Sequence, residues 1–188
     1  MKSYKALHKQ KFSIDNFAII PIRYKDRMEI LKWRNEQIYH LRQSKPLTEA
    51  DQEHYFETTV QPLFNEEKPN QLLFSYLENE VCIGYGGLVH INWIDKNAEI
   101  SFILNTELEK EHFSKHWKTF LHLIEKVAFE ELNLHKIFTF AYDLRPHLYA
   151  SIEEVGYSKE ATLKNHIFFN NEYKDVVIHG KFNNPKDN

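Results

Sequence analysis

The stretch from Val81 to Ile137 constrains this chain more than any other. Two apolar runs, Val81–Ile91 and Asn97–Leu104, read as strands. After a loop, Trp117, Phe120, Leu121, Ile124, Val127, Ala128 and Leu132 recur at spacings of three and four. That spacing gives one continuous apolar face to a helix over 114–133, with Ser114 as its cap. Lys136–Tyr142 is a strand after this helix, so it returns parallel to 97–104 through a helical crossover. A meander followed by such a crossover predicts a mixed α/β domain.

The flanks extend this core. Phe17–Tyr24, broken by Pro21, reads as an edge strand. Asp26 is placed to cap a helix carrying Met28, Ile30, Leu31 and Trp33, and Thr48–Asp51 opens a second one. Gln71–Leu77 pairs with Val81–Ile91 across a short connection at Glu78–Glu80. Pro146 suits a first helical position and Gly156 a left-handed stop. Asn165–Phe169 and Tyr173–Phe182 form a closing hairpin across Asn170 and Asn171. Residues 1–16 and 183–188 are polar and are expected to be flexible termini, leaving a single domain over 17–182.

Composition narrows the classes of function. The 188 residues are enough for one sizeable core, and 42% are hydrophobic with only five Gly and six Pro, which argues against a disordered chain. A net charge of −3 with interspersed signs leaves no basic stripe, so no nucleic-acid partner is expected. Cys82 is the single cysteine, which excludes an internal disulfide and a thiolate metal cluster; it reads as a small strand residue. No run approaches the roughly 20 apolar residues of a membrane helix, and the N-terminus has no apolar leader core. A soluble, cytoplasmic protein without a membrane partner is expected. His112 and His116 stand four apart, but without a third ligand no metal is expected.

The order of elements, with Gly84–Gly87, Ile91–Trp93, Ala128–Glu131, Leu134-His135 and Glu172–Val177, resembles the GNAT superfamily of N-acetyltransferases. Leu31–Asn35, Arg42 and Leu47–Phe56 resemble one branch of it. That branch holds ribosomal-protein N-terminal acetyltransferases and enzymes that acetylate the 4-amino group of a UDP-sugar on the pseudaminic-acid route. The resemblance covers about Ile19 to Phe182 and implies a mostly antiparallel sheet flanked by helices, splayed between its fourth and fifth strands. It implies acetyl-CoA as co-substrate and a primary amine as acceptor, most readily that of a nucleotide-linked amino sugar, with a peptide N-terminus as the alternative. The oligomeric state is left open.

The site residues follow from the resemblance. Pantetheine is expected along the free edge around Phe102, Ile103 and Leu104, residues that also serve as core packing. The pyrophosphate is expected at the loop that opens the next helix, where the family has glycines and this chain has His112, Lys115 and Trp117. The family's thiol-protonating Tyr falls on Ile152, which leaves Tyr149 as the nearby phenol. Glu99 is the candidate base for the amine, or else a salt-bridged strand residue. Arg34, Asn35, Tyr39 and His40 lie where the acceptor pocket is built, and Arg34 suits a phosphate or carboxylate, or a helix-face ion pair. Loss of both the glycines and the Tyr also fits a GNAT-fold binding or scaffold protein without normal CoA chemistry.

Overall fold

In the computed structural model, which describes residues 2–183, Phe12–Ile14 (β1) folds back on Phe17–Pro21 (β2) through Asp15, at φ 50°. β2 pairs on its other side with Leu72–Glu78 (β3), so the expected edge strand is an inner one. Between them run Arg27–Glu36 (α1), Glu49–Tyr55 (α2) and Gln61–Leu63 (α3), the last two joined by a π-helical turn over Phe56–Val60. Thr48 caps α2 in a reciprocal box with Asp51, as its sequence suggests. Asp26 stands before α1 without capping it. Its carboxylate is drawn instead to Arg23 (2.6 Å) and Ser75 (2.7 Å).

Asn79 and Glu80, both at positive φ, make the tight turn from β3 into Val81–Asn92 (β4), and β4 pairs antiparallel with Asn97–Leu104 (β5). The glycines of β4 answer to close approach. A Cβ on Gly86 would lie 2.2 Å from the Ser101 carbonyl and 2.8 Å from Phe120. Thr106–Glu125 (α4) then carries the chain back to Lys136–Tyr142 (β6), which pairs parallel with β5 as predicted. After Tyr149–Glu153 (α5) and the stop at Gly156 (φ 91°), Ser158–Phe169 (β7) and Glu172–Phe182 (β8) close the sheet. The order is β1-β2-β3-β4-β5-β6-β8-β7, with every pair antiparallel except β5 and β6.

Two boundaries differ from expectation. α4 starts at Thr106, capped by Asn105, whose side chain accepts from the Glu107 amide (3.0 Å). Apart from Leu108 the apolar face begins only near Phe113, so periodicity alone missed the mostly polar first turns. The N-terminal segment is not loose either: Tyr4, Leu7 and Phe12 are buried in the core. The Tyr4 hydroxyl donates to the Leu73 carbonyl (2.7 Å) and accepts from its amide (3.1 Å), and the ring stacks on Phe64 at 4.6 Å. The core therefore begins well before residue 17. Of the expected C-terminal tail, 184–188 lies outside the described residues. Tyr4→Ala should lower the unfolding free energy by about 3–5 kcal/mol in urea titrations; a loose terminus would give no measurable change.

Candidate active site

β5 and β6 stay paired for three residues only, Asn97↔Lys136, Ala98↔Ile137 and Glu99↔Phe138. Beyond Glu99 they part, while β5 remains bonded to β4 and β6 to β8. One edge of β5 from Ile100 onward is thus unpaired backbone. A cleft of about 300 Å³ fills the fork between Ile100–Ile103 on one arm and Thr139–Tyr142 on the other.

Alternation along β5 divides this cleft. Phe102 points to α4, where it stacks on Trp117 (5.5 Å) and Phe120 (4.3 Å), and Phe113 continues the stack to Trp117 (6.1 Å). Leu148, Tyr149 and Ile152 complete that apolar half. Glu99, Ser101 and Ile103 point the other way. There Tyr85, paired with Ile103, accepts a hydrogen bond from Arg34 (2.8 Å), and Leu41, Arg42 and His90 close the wall.

Glu99 anchors the polar half. It is nearly buried, one carboxylate oxygen accepts from Arg42 Nη2 (2.7 Å), and the other faces His90 Nδ1 at 3.0 Å. Arg34 also lines the cleft, with its Nε on Gln43 (3.1 Å). Among the described residues it makes no ion pair with a carboxylate. Thr139 and His179, cross-strand partners lining the cleft, are buried; Thr139 Oγ1 has no hydrogen-bond partner among the described residues, and His179 Nε2 lies 3.6 Å from Glu153.

Of the residues anticipated from sequence, Glu99, Tyr149, Phe102, Ile103, Trp117, Arg34 and His40 meet around this cleft. Tyr149 donates its hydroxyl hydrogen to Asp143 (2.8 Å), and burial followed by that carboxylate raises its pKa. Its proton is therefore directed away from the fork. Leu104 is fully buried and off the cleft. Asn35 instead binds the α1–α2 connection, accepting from the Leu47 amide (2.8 Å) and donating to the Leu47 carbonyl (2.8 Å). Tyr39 is exposed and packs edge-on against His40.

His112 and Lys115 face a separate shallow groove on α4 with Lys118 and His122. The loop expected there does not exist, because α4 has already begun at Thr106. Its first turn carries Glu107 and Glu109, and Glu109 is paired with Arg145 at 2.7 Å. No nest of free backbone amides remains for a phosphate at that place. His112 and His116 also face apart, since His116 is buried against the Tyr76 hydroxyl (3.2 Å) while His112 is exposed.

The acetyltransferase (GNAT) domain family matches residues 19–178. The chain belongs to this family. As a GNAT domain it is similar in sequence to a spermidine N(1)-acetyltransferase of Vibrio cholerae, 30% identical over 109 residues. That match covers 56% of this chain, which spans 61% of the relative's length. The crystal structure of Vibrio cholerae spermidine N-acetyltransferase in complex with CoA and spermine superposes with TM-score 0.81 at 20% identity, over 93% of this GNAT chain and 100% of that one. A dodecameric structure of the enzyme in an intermediate state gives 0.75 at 22% identity, over 90% and 95%. The GNAT fold read from the sequence is borne out. These relatives are spermidine acetyltransferases, not the ribosomal-protein or pseudaminic-acid enzymes to which the α1–α2 segment was likened.

Arg42, Tyr85, His90 and Arg145 join the site without having been singled out for it by sequence. Only His90 left a local signal, a polar residue inside the apolar run of β4. The site also carries a pH signature. Burial, followed by the nearby Arg145 charge, holds His40 down to a pKa of about 3. Between that value and the ordinary imidazole range the unfolded chain binds a proton that the folded one refuses, so stability falls as pH falls through this window. His40→Gln should make the stability–pH slope between pH 6 and 4 shallower by up to about 1.4 kcal/mol per unit, read by urea unfolding.

Proposed function

We propose that this GNAT domain transfers an acetyl group from acetyl-CoA to a primary amine of a small molecule, by direct attack without a covalent enzyme intermediate. The observation that carries the reading is the parting of β5 from β6 immediately after Glu99 and Phe138. An unpaired strand edge accepts an extended amide chain as an added strand, so Ile100–Ile103 suits the pantetheine arm. A backbone amide on that edge is aimed where the thioester oxygen gathers charge. The aromatic half, with Phe102, Phe113 and Trp117, suits the thioester end of the donor, and the polar half with Glu99 suits the amine. The residues present fit the pantetheine and acetyl parts of acetyl-CoA. The diphosphate has no glycine nest here and falls to side chains, the candidate being Arg145, which lines the cleft and pairs with Glu109 of α4.

A polyamine is the acceptor that the relatives' names support. A second reading comes from charge. Arg34, Arg42 and Arg145 line the cleft against the single carboxylate of Glu99, and Arg34 has no acidic partner among the described residues. An uncompensated guanidinium in a cleft favours an amine that also carries a carboxylate or phosphate.

Calorimetry with acetyl-CoA, followed by free-thiol release on an acceptor panel, tests the reading. Acetyl-CoA should bind, and spermidine or spermine should release CoA thiol. Turnover confined to amino acids or amino-sugar nucleotides would give the acceptor to the second reading, and turnover confined to peptides would remove both. Absence of acetyl-CoA binding would overturn the enzyme reading in favour of a scaffold that keeps only the fold.

A further inference from the structure

His90 sits in a bulge. The register of β4 against β5 shifts between Val89 and Asn92, and His90 takes φ 51°, a left-handed conformation that is uncommon for non-glycine residues, His being among those that adopt it more often. Strain of this kind costs roughly 1–3 kcal/mol and persists where the surroundings enforce it, often at functional sites. At His90 the bulge turns the imidazole onto the cleft, against Glu99.

The chemistry of the pair fixes the tautomer. A carboxylate only accepts, so the 3.0 Å contact between His90 Nδ1 and Glu99 requires the hydrogen on Nδ1. In the neutral imidazole Nε2 is then left with a lone pair, and it has no protein partner among the described residues. Glu99 is itself held by Arg42 at 2.7 Å, so both of its oxygens are engaged. The charged groups facing His90 are thus Glu99 from β5 and, behind it, Arg42 from the α1–α2 connection.

We propose that His90 Nε2 is the group that removes the proton from the acceptor amine, and that Glu99 is a positioning residue that orients and charge-compensates it. The inference rests on the acetyl-transfer reading above. The amine nitrogen forms the new bond to the acetyl carbon and the C–S bond breaks, releasing thiolate. The proton leaves the nitrogen for Nε2 and is returned through solvent to the sulfur. This is the logic of a carboxylate-oriented imidazole base. It also reassigns Glu99, which the sequence suggested as the base.

The test uses the intact protein, with the best acceptor from the panel. His90→Asn is the informative variant, because Asn tolerates positive φ and so preserves the bulge. It should lower kcat at least 100-fold with acetyl-CoA affinity and Tm unchanged, and added imidazole should restore part of the rate. Glu99→Gln, which can still accept from Nδ1, should cost about tenfold.

His90→Asn within twofold of the parent, or a Glu99→Gln loss exceeding that of His90→Asn, would overturn the assignment while leaving acetyl transfer intact. A lowered Tm in His90→Asn without imidazole rescue would show a structural role and overturn it too. A parent that binds no acetyl-CoA and turns over no acceptor would instead remove the reading beneath it.

Discussion

Everything functional in this molecule depends on a hydrogen-bond ladder that stops. β5 and β6 exchange bonds as far as Glu99 and Phe138, and then each keeps only its outer neighbour. Ordinarily an abandoned strand edge inside a sheet is a cost, because backbone amides and carbonyls lose their partners. Here the cost is located in a solvent-reachable cleft, where an amide-bearing ligand can take the place of the missing strand. The aromatic wall from α4 and the polar wall from α1 are built around that opening, one on each side of β5.

The polar wall is organised by Glu99. A carboxylate this nearly buried is tolerable only with compensation; Arg42 supplies the ion pair and His90 adds a hydrogen bond from a different segment. The β4 bulge is what brings His90 into reach. The cluster thus ties the α1–α2 connection and β4 to the strand that forks. Removing Arg42 alters the charge felt by Glu99 and, through it, by His90.

Much of this was legible in the sequence, and what was not has physical causes. The β5 and β6 boundaries and the crossover followed from apolar periodicity, and the GNAT resemblance was carried by the Gly84–Gly87 segment, whose glycines permit close packing under Phe120. The start of α4 was hidden because Thr106–His112 is mostly polar, and a solvated first turn has no apolar period to detect. Its real signal was Asn105 followed by acidic Glu107 and Glu109. The buried N-terminal segment was hidden for the opposite reason: Tyr4, Leu7 and Phe12 are too sparse to show a period, yet each finds a pocket. The Glu99–His90–Arg42 cluster joins positions far apart in sequence, and the bulge that makes it leaves no mark beyond one polar residue in β4. Asn35 turned elsewhere because a residue's place beside a site does not fix where its side chain points.

The central claim is that the open edge of β5 receives the acyl donor. Amide hydrogen exchange on the wild-type protein with saturating acetyl-CoA tests it most directly. Exchange at the Phe102 amide, which alternates away from β4, should slow markedly on binding, while the amides of 97–103 already bonded to β4 or β6 change little. Bound acetyl-CoA with no protection at Phe102 would contradict the account.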